Sequence, residues 1–491
     1  MSDLPRSVHL LGICGTAMTA LAGSLQAQGV RVTGSDEHPY PPMSEHLAAL
    51  GIPCNEGYRP EHIPPDVALV VVGNVIREAN PEAQEMRRRG LPHISMAAAV
   101  KRFAIGARHT IAIVGTHGKT TTTALAAHAL VELGADPGFL IGGIASNFGS
   151  NFRVGGGDSF VIEGDEYDTA YFDKSPKFFK YGPRTLLFTS LEFDHADIYA
   201  DLAAIRTQFA ALLRGLPADG RLIACTDDPN VRGLLGEPHC AETAYGFGPE
   251  AACRLSDWAD DGASASFTTT WTGRRERWRL PLPGRHNALN AAAVIVLCRA
   301  LGYEAGPIQA ALERFRGVKR RQEVRGLADG ITVIDDFAHH PTAVALTIEA
   351  IQRRYAGRPV WAVLEPRSFT ARSRRFQAEF GEALAAAEHV VLAQPFVSDY
   401  SAGVERLDPA AIAAALRARG RDAVACASSD AVLAHLVAGA APGDVVLIMS
   451  NGGFDAIHER LLQALRARAA SAGSGPTPGA AASPHRTPER A

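Results

Sequence analysis

Apolar residues fall in short blocks along the chain, and most blocks run into glycine, asparagine or an acidic residue. Val8 to Ile13, Val30 to Thr33, Val67 to Val72, Ile111 to Val114, Phe160 to Ile162, Thr185 to Thr189, Ile331 to Ile334, Val360 to Leu364, Val390 to Ala393 and Val445 to Met449 have the length and character of buried strands. Ala/Leu-rich stretches separate many of them, one running to Gln28 and another from Thr120 to Glu132, and these read as helices. Strand–helix alternation of this kind predicts an α/β protein with doubly wound parallel sheets. The pattern changes over residues 221–285, which are polar and β-rich, with Phe267 to Trp271 and Trp278 to Leu282 alternating. Beyond about Ala469 the chain is rich in Ser, Gly, Pro and Ala and cannot bury a core, so a disordered tail is expected over 469–491.

The polar residues at the ends of these blocks divide the chain. Residues 1–107 read as a Rossmann-like domain. A strand runs into GICGTAM, Gly12 to Met18, and the next ends at Gly34-Ser35-Asp36, although the dinucleotide fingerprint is incomplete. Asn74 follows another strand at the carboxyl edge, where open α/β sheets bind ligands. KRFAIGARH, Lys101 to His109, reads as a basic connector. Residues 108–318 carry Gly115-Thr116-His117-Gly118-Lys119-Thr120-Thr121 between a strand and a helix. Backbone N–H groups and a helix N-terminus there cradle phosphate, Lys119 adds a positive charge, and the Thr120 hydroxyl suits Mg²⁺. Glu163 ends a strand beside this loop, with Asp165, Glu166 and Asp168 behind it, as a Mg²⁺ ligand would. His195 sits in LEFDHAD at another strand end, and Asn287 and Asn290 share a helix face. Residues 319–468 open with Lys319-Arg320-Arg321. They put DDFAHHP, LEPRS and SNGG at strand ends, as a second Rossmann-like sheet facing the nucleotide.

Composition narrows the class. Apolar content of 46% and charged content of 21% are those of a globular protein with ample core. A net charge of −3 suggests no affinity for nucleic acid or an anionic membrane. No run of about 18 apolar residues occurs, so no membrane span is expected. The seven cysteines include no C-x-x-C pair, which points to a reducing compartment, and a cytoplasmic monomer is expected.

GTHGKTTT, the acidic stretch at Glu163, LEFDHAD, GRHNALN, GVKRR and DDFAHHPTA together resemble the Mur ligase family, ATP-dependent amide-bond-forming enzymes of peptidoglycan synthesis and recycling. The resemblance covers residues 5 to about 465. Within the family, LGICGTAM, VIEGDEYDTAYFDKSPKF, LEPRS and SNGGFDAIH are most similar to members that join the murein tripeptide L-alanyl-γ-D-glutamyl-meso-diaminopimelate to UDP-N-acetylmuramate; members that add L-alanine are the alternative. The resemblance implies that Gly115, Thr116, Gly118, Lys119, Thr120 and Thr121 hold ATP, and that Thr120, Glu163 and His195 hold Mg²⁺. It implies adenine contacts from Asn287 and Asn290. Arg321 and Asp336 would reach from the third domain to phosphates and ribose, with His339 among the catalytic groups. Gly12, Gly15, Thr16, Asp36, Asn74 and Asn147 would hold the UDP substrate, and Arg367 and Ser368 the peptide. One departure stands out. Several members carry a carbamylated lysine about fifteen residues after the His195 position, whereas no lysine lies between Ala196 and Arg214.

Overall fold

The computed structural model describes residues 4–196, 198–396 and 405–473. Its sheets follow from the apolar blocks. Ser7–Leu11, Leu69–Val72, Ile331–Asp336, Val360–Leu364 and Val445–Met449 are buried at every position, as central strands covered on both faces must be.

The first sheet has five parallel strands in the order Cys54–Glu56, Arg31–Asp36, Ser7–Leu11, Leu69–Val72, His93–Ser95. The strand order reverses between Ser7–Leu11 and Leu69–Val72, so Gly12 and Gly73 flank the crevice at the switch point. The segment expected as a basic connector instead begins with a π-helical turn, Val100–Ile105. Its Val100, Phe103, Ala104 and Ile105 are buried in the core shared with the second sheet.

The second sheet has ten strands. At its centre His109–Val114 lies between Thr185–Phe188 and Ser159–Glu163, all parallel. One edge is extended by an antiparallel meander, Cys253–Asp260, Ala265–Trp271 and Arg274–Leu280, where the alternating residues were noted. Helices Lys119–Glu132 and Arg285–Ala300 pack on one face, burying Ala124 to Ala127 against Ala288 to Val294. The third sheet has six strands, parallel except for the edge strand Glu323–Ala328. Its last helix, Ile457–Gly473, runs into the stretch expected to be a tail from residue 469; the rest of that stretch lies outside the described residues. The expected tail boundary is therefore corrected. Ala467, Ala469 and Ala470 are strong helix formers and continue the helix before the Gly/Pro-rich part begins.

Candidate active site

The phosphate loop owes its shape to what presses on it. Gly115 adopts φ 129°, and a Cβ there would sit 2.5 Å from Thr189 Oγ1 and 2.6 Å from the Ser190 carbonyl. Gly118 adopts φ 80°, and its Cβ would sit 2.6 Å from Asn290 Oδ1. Only glycine meets both conditions without cost. The neighbouring strand end stitches the loop down: Thr116 N–H donates to Ser190 O at 2.9 Å, His117 N–H donates to Ser190 Oγ at 2.8 Å, and Glu192 N–H donates to Thr116 Oγ1 at 2.8 Å. The helix Lys119–Glu132 then starts with its free N–H groups facing the loop.

Behind the loop lies a buried network of charges. Lys119 Nζ donates to Gly115 O at 2.6 Å and to the Glu166 carboxylate at 3.0 and 3.1 Å. Glu166 Oε1 in turn accepts from His195 Nε2 at 2.8 Å. Burial alone would lower the Lys119 pKa, but Glu166, Asp165 and Glu163 outweigh it and hold the ammonium above its ordinary range. Burial would likewise depress His195; Asp194 and Glu166 raise it to about 9. His195 is held at φ 55° by its N–H, which donates to Asp194 Oδ1 at 2.7 Å and to Thr370 Oγ1 of the third domain at 3.0 Å. Asp165 pairs with Lys177 Nζ at 2.8 Å. Burial would raise its pKa, yet Lys177, Lys119 and His195 bring it down to about 2.

Glu163 adds its charge to that network but makes its hydrogen bonds elsewhere. Thr120 Oγ1 donates to its Oε1 at 3.2 Å and Gly142 N–H to its Oε2 at 2.9 Å, and burial pushes its pKa up. A hydroxyl and a carboxylate oxygen at a helix N-terminus are the hard donors that Mg²⁺ takes. Arg321, from the third domain, donates from Nη2 to Thr120 Oγ1 at 3.2 Å. Its guanidinium also lies over the Phe337 ring, 4.9 Å from the centroid. His339 Nδ1 donates to Phe337 O at 2.9 Å; burial lowers its pKa, with Asp194 near enough to oppose that. A cavity of about 240 Å³ joins the first two domains. Gly15, Thr16 and Asn74 line one side, and Glu163, Asp165 and Lys177 line the other.

Three Mur ligase families match in succession. The Mur ligase family catalytic domain matches residues 7–108, the Mur ligase middle domain 113–298, and the Mur ligase glutamate ligase domain 320–452. The chain is 37% identical to the UDP-N-acetylmuramate–L-alanyl-γ-D-glutamyl-meso-2,6-diaminoheptandioate ligase of Escherichia coli K12, over 95% of this chain and 99% of that protein. The chain belongs to the Mur ligase family. It is therefore an ATP-dependent ligase that forms amide bonds. A UDP-N-acetylmuramate–L-alanine ligase from Acidothermus cellulolyticus is 36% identical over 94% of this chain and 95% of its own length. Among solved structures, a murein peptide ligase from Psychrobacter arcticus 273-4 superposes with a TM-score of 0.74 at 34% identity, over 94% of this chain and 99% of its own.

In this Mur ligase the site residues expected from sequence separate into two groups. Gly115, Thr116, Gly118, Lys119, Thr120, Glu163, His195, Arg321 and His339 converge around the phosphate loop, with Thr121 half-buried in the first helical turn. Gly12 and Gly15 form the first-domain turn, where Gly15 N–H donates to Gly12 O. The others have partners within the protein. Asn147 does not reach the cavity; its Nδ2 donates to Arg314 O at 2.8 Å and its Oδ1 accepts from Arg316 N–H at 2.8 Å, clamping a loop elsewhere. Asp336 ends the strand Ile331–Asp336. It is buried, and its two oxygens accept from the N–H groups of Gln322 and Ala338 at 2.8 and 2.7 Å, fixing the segment that aims Arg321. Asp36 Oδ2 accepts from Cys14 N–H at 2.9 Å and so shapes the glycine turn. Ser368 caps the helix Phe369–Arg372 by accepting from Ala371 N–H. Asn287 donates to Pro283 O at 2.6 Å, and Asn290 backs Gly118. Glu166 was named from sequence only as part of the acidic stretch behind Glu163, without a role, and Lys177 was not singled out. A charged residue one turn past a strand end carries no local sign that it will be buried.

Proposed function

We propose that this Mur ligase joins L-alanyl-γ-D-glutamyl-meso-diaminopimelate to UDP-N-acetylmuramate at the expense of ATP, in the cytoplasm. The observation that carries the reading is the shared cavity. The first-domain turn at Gly15 and Thr16 and the carboxylates Glu163 and Asp165 face one space, so a UDP-sugar held by that turn presents its lactyl carboxylate to the phosphate loop. Similarity to two peptide-adding relatives, 37% and 35% identical over 95% and 94% of the chain, supports the peptide as acceptor.

The chemistry follows from the residues. Lys119 and the loop N–H groups bind and orient the β- and γ-phosphates, and Arg321 completes the charge clamp once the third domain is seated. The lactyl carboxylate takes the γ-phosphoryl group, the peptide amine attacks the resulting acyl phosphate, and phosphate leaves. Thr120 and Glu163 would hold one Mg²⁺; Glu166 and His195 would hold a second after His195 sheds its proton. Such ions neutralise charge on the transferring phosphoryl group. The position of the family's carbamylated lysine is apolar here: Phe209 stacks on Phe188 at 4.8 Å with an interplanar angle of 16°.

Purified protein with ATP, Mg²⁺ and UDP-N-acetylmuramate is given either the tripeptide or L-alanine, and the UDP product is identified by mass. Preferential use of tripeptide is expected. Equal or better use of alanine would overturn the assignment in favour of the alanine-adding ligase.

A further inference from the structure

The closed junction between the second and third domains holds a side-chain cluster that the reaction above does not use. His117 belongs to the phosphate loop, Glu192 to the strand end that stitches it, and His340 to the third domain. Glu192 Oε2 lies 3.1 Å from His117 Nε2 and 3.3 Å from His340 Nδ1, and all three atoms lie within 4.8 Å of one another.

The hydrogen bonds around His340 decide its tautomer. Its Nε2 donates to Phe193 O at 3.2 Å, because a carbonyl can only accept. Its Nδ1 accepts from Thr342 N–H at 3.4 Å. That long contact is all that uses the single Nδ1 lone pair, and the same nitrogen lies 3.3 Å from a carboxylate oxygen that accepts from Thr342 Oγ1 at 2.7 Å, so a bound ion would take the lone pair over from Thr342 N–H. Two acceptors at this distance repel, and a cation between them reverses the sign. The Nε2–H···O=C bond is also the orienting contact that metal-ligating imidazoles commonly make through their other nitrogen.

We infer that His117 Nε2, His340 Nδ1 and Glu192 Oε2 form a transition-metal site that fastens the third domain to the phosphate loop. A tetrahedral ion with bonds of about 2.0–2.1 Å needs ligand atoms about 3.4 Å apart, close to the two separations above. Two imidazoles and one carboxylate select Zn²⁺, Co²⁺ or Ni²⁺ over Mg²⁺, which prefers oxygen alone. The site differs from the oxygen-rich one at Thr120 and Glu163 in both ligands and metal class. It also spans two domains, so occupancy favours closure.

Co²⁺ is the probe, because its visible d–d absorption reports coordination directly. Metal-free full-length protein in excess Mg²⁺ is titrated with Co²⁺. Wild type is expected to show one saturable set of bands. His340→Asn keeps a side chain able to cap the helix Pro341–Arg354, and it should weaken Co²⁺ binding at least tenfold, as should His117→Gln. His195→Ala, which removes a different imidazole near the phosphate site, should retain the bands. Circular dichroism checks that each variant is folded. Bands that survive His340→Asn unchanged, bands lost only in His195→Ala, or no saturable Co²⁺ binding by wild type would each overturn the site.

Discussion

Replacing Lys119 with methionine tests whether the lysine serves the fold as well as the reaction. Its ammonium lies 3.0 Å from Glu166 in a site where the side chains are 13% and 4% exposed. At an effective dielectric of about 20, that pair is worth about 5 kcal/mol of gross attraction, part of which the buried charges spend on desolvation. Removing one partner of a buried pair costs about 3–5 kcal/mol, because the other charge is stranded. Here Glu166 keeps His195 at 2.8 Å, which favours the lower end, about 3 kcal/mol. For a domain of this size that lowers the melting temperature of the middle domain by roughly 6–12 °C. Ligation should be lost at the same time, since the charge serving the transferring phosphoryl group is gone. The double variant Lys119→Met/Glu166→Gln separates the two effects. It removes the stranded carboxylate and should recover at least half of the lost stability while remaining inactive. Calorimetric melts and phosphate release measure the pair of outcomes. A wild-type melting temperature in Lys119→Met, or a double variant no more stable than the single one, would refute the reasoning.

Arg321→Met should lower kcat/KM by one to two decades, the scale of a lost charge-assisted hydrogen bond of about 1.5–3 kcal/mol; unchanged kinetics would remove it from the phosphate clamp. Activity should be indifferent to bicarbonate and to degassing, because Phe209 and Ala210 fill the position of the carbamylated lysine; recovery of activity on adding bicarbonate would contradict this. Arg367→Ala should raise the KM for tripeptide: Arg367 holds Glu365 at 3.4 Å and lies over Phe396, and Gly452→Ala should mimic the effect, since its Cβ would collide with the Arg367 side chain. His286 is half-buried, with its Nδ1 enclosed and unpartnered, and desolvation lowers its pKa to about 4 from 6.5, with His117 adding to the fall against Asp260. A depressed folded pKa contributes stability above pH 6.5 that is lost as pH falls towards 4, so denaturant melts of His286→Gln should lack about 1–3 kcal/mol of the wild-type loss over that window.

What the sequence discloses about this site depends on how local the cause is. The phosphate loop is legible because its pattern is written within ten residues, a buried strand, two glycines, and a lysine and threonine opening a helix, even though the contacts that demand the glycines come from Ser190 and Asn290. Glu163 is legible because a carboxylate at the end of a central parallel strand has one place to go. The residues whose partners the sequence does not disclose share the opposite property. Asn147 looks like a ligand-binding amide after a glycine turn, yet its partners, Arg314 and Arg316, lie 167 and 169 residues away. Asp336 looks like a second acid at a strand end, and its oxygens accept from Gln322 and Ala338 because Gln322 returns to it through a left-handed turn at φ 51°. The roles of Glu166 and Lys177 escape for the same reason, since burial turns an ordinary acidic loop residue and the first lysine of the short helix Lys177–Tyr181 into a charge network only after the strands meet. A Mur ligase motif therefore marks where phosphate sits, while the groups that set its electrostatics come from packing. That division explains why Lys119 is the one residue readable at both levels. Its place in the loop is written locally, and its buried partner Glu166 comes from a different strand connection.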